Sequence, residues 1–170
     1  MLEAMQELLV NQFDASLSML HCCIESCPEQ IWHERLVELE FCQVAFHVLF
    51  FTDYYLETSP DGFRKQRFHV DNQSEFRDYE ELEYRPQVLT YEKEFVMRYL
   101  FHCREKVGRV IRNETTESLN EPSGFERNSF TRAELHVNNI RHIQYHTAQL
   151  ILKLRFEGQN EIRWVGSGWA

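Results

Sequence analysis

Apolar residues recur at three- and four-residue spacing along four stretches, and that period predicts helices over about 2–27, 36–57, 90–113 and 132–156. Leu2, Met5, Leu9, Phe13, Leu17, Leu20 and Ile24 carry the first stripe. Pro28 ends it, because a proline disfavours the helical conformation of the residue before it. The second helix buries Leu39, Cys42, Phe46, Leu49, Phe50 and Tyr54, and Ser59-Pro60-Asp61-Gly62 stops it. Val96, Leu100, Cys103, Val107 and Val110 form the third stripe. The fourth stretch, RAELHVNNIRHIQYHTAQLILKLR, has neither proline nor glycine and presents Ile140, Ile143, Leu150, Ile151 and Leu154 to a core. Ser129 or Thr131 supplies its N-cap, and Gly158 closes it.

The connections differ in character. PEQIWH joins the first two helices, with Trp32 as a packing anchor. Residues 114–128, with Pro122 and Gly124, read as a loop. The segment Ser59–Leu89 is polar and aromatic together (Phe63, Phe68, His69, Phe76, Tyr79, Tyr84), with a short helix expected around Ser74–Glu83. Its Glu80-Glu81-Leu82-Glu83 run reads as a solvated face. A connection of that length serves as a lid or binding loop, or plugs one end of a bundle. The expected fold is all-α: one four-helix bundle over residues 1–170, with a long crossover between its second and third helices.

Beside the apolar stripe of the fourth helix runs a second one: Leu135, Asn139, His142, His146 and Gln149. A bundle seam is normally filled with leucine and isoleucine, and burying an imidazole or amide without a partner costs about 1–3 kcal/mol. His142 and His146 stand one turn apart, the spacing by which one helix offers two ligands to one metal. His47 interrupts the apolar run VAFHVLF in the second helix. Three inward imidazoles on two helices can share a divalent cation and leave coordination positions open, as catalytic sites do. Gln43, Asn139 and Gln149 are expected to line the pocket or to orient the ligand rings. His21, His33, His69, His102 and His136 read as surface or partly buried residues, His136 lying across the helix from His142. No histidine follows a glutamate by three residues, which rules out the di-iron bundle pattern.

His47 in the second helix, with His142-Ile-Gln-Tyr-His146-Thr-Ala-Gln149 in the fourth, resembles the DinB/YfiT-like family of metal-binding four-helix bundles. That family pairs an H-x-x-x-H-x-x-Q pattern with a lone second-helix histidine, and its connector is similar to PEQIW. The chain departs from it at Thr147-Ala148, where relatives often carry Arg-Gly, which leaves the metal triad intact but weakens any transfer of substrate contacts. The resemblance implies an up-down-down-up bundle binding zinc, nickel or iron. It also implies thiol-dependent transfer or isomerisation, or hydrolysis.

Composition trims these options. A formal charge of −9 argues against a nucleic-acid partner. No window approaches the ~20 apolar residues of a membrane span. The acidic MLEAMQELL start lacks an export charge pattern, and Cys22, Cys23, Cys27, Cys42 and Cys103 form no C-x-x-C pair. Together these predict a cytoplasmic protein with reduced thiols, one of Cys22 and Cys23 facing outward.

Imidazoles do not choose among zinc, nickel, iron or copper. Being neutral, they leave the ion's charge uncompensated and favour an anionic further ligand. Water acidified to a pKa of roughly 7 gives hydrolysis, and a thiol held as thiolate gives transfer. The expectation is one divalent metal on His47, His142 and His146, with a small-molecule substrate and a low-molecular-weight thiol as candidate cosubstrate. No residue declares itself as general base. The rival is a non-catalytic bundle with structural histidines, working as a homodimeric interaction or stress-response module.

Overall fold

The computed structural model describes residues 1–79, 87–125, 130–158 and 162–170. These are helical, with no strand among them and only isolated bridges at Arg35–Glu40 and Pro122–Thr131. Glu80–Glu83, Tyr84 and Ser129 lie outside the described residues. Among the described residues, no helix is long and apolar enough to cross a membrane.

Four long helices dominate: α1 (Leu2–Ser26), α3 (Phe41–Leu56), α6 (Lys93–Asn113) and α8 (Arg132–Phe156). Short ones fill the connections: α2 (Glu29–Trp32), α4 (Pro60–Lys65), α5 (Arg67–Asp71), a 3-10 turn over Gln73–Tyr79, and α7 (Thr116–Asn120). Helices α1 and α3 each pack against both α6 and α8. The expected stripes largely form the core. Leu9, Phe13, Leu17, Leu20 and Ile24 of α1 are buried, while Met5 is exposed in its first turn.

Helix α3 begins at Phe41, later than periodicity suggests. Leu36 and Leu39 keep helical spacing, but Leu36 N–H donates to Leu39 O and Phe41 N–H donates to Glu34 O, which closes residues 34–41 into a tight turn. Gln43 Oε1 then accepts from Glu40 N–H at 2.9 Å and caps the start of α3. The other boundary corrections are smaller. Helix α6 starts at Lys93, the loop after it holds α7, and the short helix near Ser74 is a 3-10 turn. At α8, Thr131 Oγ1 accepts from Glu134 N–H, and Glu134 Oε2 accepts from Thr131 N–H in return. Gly158 ends that helix with φ +71°. Gly124, at φ +83°, lies so close to Thr58 O that a Cβ would stand 2.1 Å from it.

Helix α3 is enclosed nearly all round, because the crossover packs aromatic rings on the side left by its neighbours. Phe46 stacks on Tyr91 and Phe50 on Tyr79, with centroids 3.9 and 4.2 Å apart. Trp32, buried as expected, donates its Nε1–H to Tyr91 O at 2.7 Å. Cys23 is buried and Cys22 half-buried, and all five cysteines are free thiols.

Two buried ionic clusters fix the C-terminal half of α3. Lys106 of α6 lies 2.5 Å from Asp53 Oδ1, also contacts Glu57, and donates to Gln66 Oε1 at 3.1 Å. Tyr99 and Gln66 donate to the other Asp53 oxygen. Arg132 of α8 donates to the carbonyls of Tyr55, Leu56 and Glu57, and its Nε lies 2.9 Å from Glu114 Oε1. That guanidinium satisfies carbonyls that the end of α3 leaves without intrahelical partners.

Breaking a buried ion pair from one side costs about 3–5 kcal/mol. Arg132→Ala should therefore lower unfolding stability by that order in a urea titration, and a loss below about 1 kcal/mol would contradict the role assigned to it.

Candidate metal centre

His47 sits in mid-α3, and His142 and His146 occupy successive turns of α8, the helix packed against it. The structure brings all three together. One ring nitrogen of each lies within 4.8 Å of the others, and the His47 and His142 Nε2 atoms are 3.3 Å apart. Ring centroids are separated by 5.2 Å (His47–His142), 4.9 Å (His47–His146) and 4.7 Å (His142–His146). Two nitrogens bound at 2.0–2.1 Å to a tetrahedral ion stand about 3.3 Å apart. The Nε2 pair already holds that separation, which is also reached by a weak imidazole–imidazole hydrogen bond.

The outward nitrogens are mostly engaged. His47 Nδ1 lies 3.3 Å from Tyr79 Oη, and His146 Nδ1 lies 2.9 Å from Gln149 Oε1. The amide oxygen can only accept, so His146 is protonated at Nδ1 and its Nε2 carries the lone pair. In the tautomer whose Nδ1–H donates to the phenol, His47 likewise carries its lone pair on Nε2. His142 Nδ1 is buried without a partner among the described residues. Phe51 meets the His47 and His142 rings at 4.8 and 5.6 Å and walls the cluster from the α3 side.

Burial makes these imidazoles poor proton acceptors. It pulls the His47 pKa down to about 3, with further lowering from the His142 and then the His146 ring. Burial, followed by the neighbouring His146, brings His142 to about 4. His146 is also lowered by burial, against the opposing effect of the hydrogen bond it donates to Gln149. All three are thus neutral near pH 7, the form a metal requires. Donor type, spacing and protonation state fit a borderline divalent cation.

A cavity of about 440 Å³ opens beside His47 and His146. It lies between the 36–39 turn and the C-terminal half of α8, lined chiefly by Leu36, Leu39, Val44, Leu152 and Phe156. Glu38 and Lys153 add one carboxylate and one ammonium, and Lys153 is paired with Glu34 and Glu157 at 2.7 and 2.8 Å. The sequence pattern reads the 59–89 crossover as a lid or binding loop, or as a plug at one end of the bundle. The described part of that crossover contributes Tyr79 behind His47, and the cavity faces the first connector.

The expected supporting residues part company. Gln149 holds His146 and lines the cavity. Gln43 spends its amide on Glu40 N–H, Gln87 O and Leu89 O, and so orders the chain rather than a ligand ring. Asn139 is fully buried and donates to Thr52 O at 3.1 Å, tying α8 to α3. Tyr79 is the supporting residue that sequence reading missed. Asp78 holds its segment by accepting at 2.7 Å from both Val88 N–H and Leu89 N–H, and no local pattern announces that contact. His136 also needs correction: it is fully buried, 2.8 Å from Glu114 Oε1. His69 is buried as well.

Comparison with protein-family models, curated proteins and solved structures finds no match to this chain.

Two outcomes follow from the geometry. Removing the Tyr79 hydroxyl in Tyr79→Phe should weaken zinc binding about 10–100-fold in a competition titration, with the helical circular dichroism unchanged. Equal affinity would show that the hydroxyl does not orient His47. In metal-free protein the unfolded imidazoles take up protons from about pH 6.5 downward, whereas folded His142 and His47 resist until about 4 and about 3. Stability is therefore fully present above pH 6.5 and lost as the pH falls through that window. His47→Phe should flatten that part of the profile by a few kcal/mol. An unchanged slope would contradict the assigned burial.

Proposed function

We propose that this chain is a metal-dependent enzyme of the DinB/YfiT-like type, a four-helix bundle with an up-down-down-up order and a crossover between its second and third long helices. In this reading His47, His142 and His146 hold one divalent ion, with zinc, nickel or iron as the candidates. The substrate is a small molecule, transformed by thiol-dependent transfer or by hydrolysis. The observation carrying it is the meeting of three imidazole nitrogens within 4.8 Å beside a cavity of about 440 Å³.

A bound ion supplies Lewis acidity, making a water or a thiol acidic near neutral pH. The residues of the chain do the rest. Tyr79 and Gln149 fix two of the ligand rings, so their lone pairs are aimed before any ion arrives. Phe51 excludes water from the α3 side of the cluster. The histidines add no negative charge, so an anionic group is favoured at the remaining coordination position. The apolar lining favours a substrate whose body is hydrophobic, and Lys153 stands at its edge.

A second reading keeps the histidines structural, with no catalysis. It rests on the 3.3 Å Nε2–Nε2 contact, which lets His47 and His142 satisfy one another without an ion.

Elemental analysis of protein purified without a histidine tag separates the two readings. Relative to wild type, His47→Ala and His142→Ala should each lose about one equivalent of metal, and His21→Ala should lose none, since only the first two remove one of the few ligands such a site can have. Metal content identical in all four proteins would leave the structural reading. A thiol-consumption assay run beside an ester and amide panel then decides between transfer and hydrolysis.

A further inference from the structure

A second cluster of unlike donors lies at the start of α3 and shares no residue with the first. His33 follows α2 as its C-cap, Glu40 is the N-cap of α3, and Cys42 is the second residue of that helix. His33 Nδ1 is 3.2 Å from Glu40 Oε2, Cys42 Sγ is 3.6 Å from the same oxygen, and Sγ is 3.7 Å from Nδ1. Taken as hydrogen bonds, at most two of these three edges form at once, because the thiol brings one proton and Nδ1 at most one. The third edge is then a van der Waals contact.

All three edges also match one face of a tetrahedron around an ion. Ligands at 2.0–2.1 Å (nitrogen, oxygen) and 2.3 Å (sulfur) from zinc stand about 3.4 Å apart for nitrogen and oxygen, and about 3.6 Å apart when sulfur is one of the pair. The donors also surround a partly open direction: the His33 side chain is 50% exposed, that of Glu40 22%, and Cys42 is buried behind them.

We infer that His33, Glu40 and Cys42 form a second divalent-metal site, for zinc or an ion of similar softness, with water completing its coordination. The thiol selects against magnesium and calcium. Binding forms a metal–sulfur bond and releases the thiol proton to solvent. One thiolate and one carboxylate balance the ion's two positive charges, unlike the three neutral imidazoles.

The consequence is mechanical. The site ties the end of the first connector to the first turn of α3 and closes the base of the 34–41 turn, whose Leu36 and Leu39 wall the cavity. It acts as a staple on that wall.

Cobalt(II) titration of the full-length reduced protein tests this, because only a sulfur ligand gives thiolate-to-cobalt charge-transfer absorption in the near ultraviolet. That absorption should appear in wild type, persist in the His47→Ala/His142→Ala double variant, and vanish on adding zinc. It should be lost in Cys42→Ser and in His33→Ala, and kept in Cys27→Ser. His33 is half-exposed and its replacement leaves the core intact, so that variant decides the matter if Cys42→Ser does not fold. Absence of the absorption in wild type, or its survival in His33→Ala, overturns the second site. Either outcome leaves the three-histidine centre standing, since its cobalt spectrum contains no sulfur contribution.

Discussion

Helix α3 is buried nearly all round while carrying polar groups that an apolar interior does not tolerate, and the arrangement of this protein follows from that constraint. Each such group costs about 1–3 kcal/mol if left without a partner. Thr52 Oγ1 donates to Val48 O within the helix. Asp53 is met by Lys106, Tyr99 and Gln66, and the last carbonyls by Arg132. His47 meets Tyr79 on one nitrogen and His142 on the other. Apart from that of Thr52, these solutions come from other elements of the chain, so satisfying α3 also assembles the fold.

That assembly gives the candidate centre its chemistry. Lys106 and Arg132 fix α3 against α6 and α8, and Asn139 adds a tie of its own to Thr52 O. With α3 and α8 held in register, His47 faces the turn that carries His142 and His146. The enclosure that makes these rings costly to charge also keeps their lone pairs free of protons at neutral pH. Neutral imidazoles are the form in which histidines bind a metal.

Much of this was legible in the sequence, where it depended on local pattern. Three- and four-residue spacing located the long helices, Pro28 and Gly158 marked their ends, and His47 stood out as the one polar interruption in VAFHVLF. The i, i+4 pair His142 and His146 needed only helical geometry. What failed involved partners that helical spacing does not encode. Leu36 and Leu39 have helical spacing but line a cavity from a turn, because the Leu36–Leu39 and Glu34–Phe41 backbone bonds take the place of helical ones. Gln43 and Asn139 looked like companions of the histidines, yet both answer to backbone groups. Tyr79 is 32 residues from His47, and Glu114 is 22 from His136; neither contact leaves a trace in spacing.

The most direct test of the central claim is anomalous diffraction at the zinc absorption edge from crystals of the zinc-loaded protein. The account predicts a peak about 2.0–2.1 Å from nitrogens of His47, His142 and His146, with the Tyr79 hydroxyl on the far nitrogen of His47. A map with no peak between these three rings, or one in which the His47 ring has turned away from α8, would contradict it.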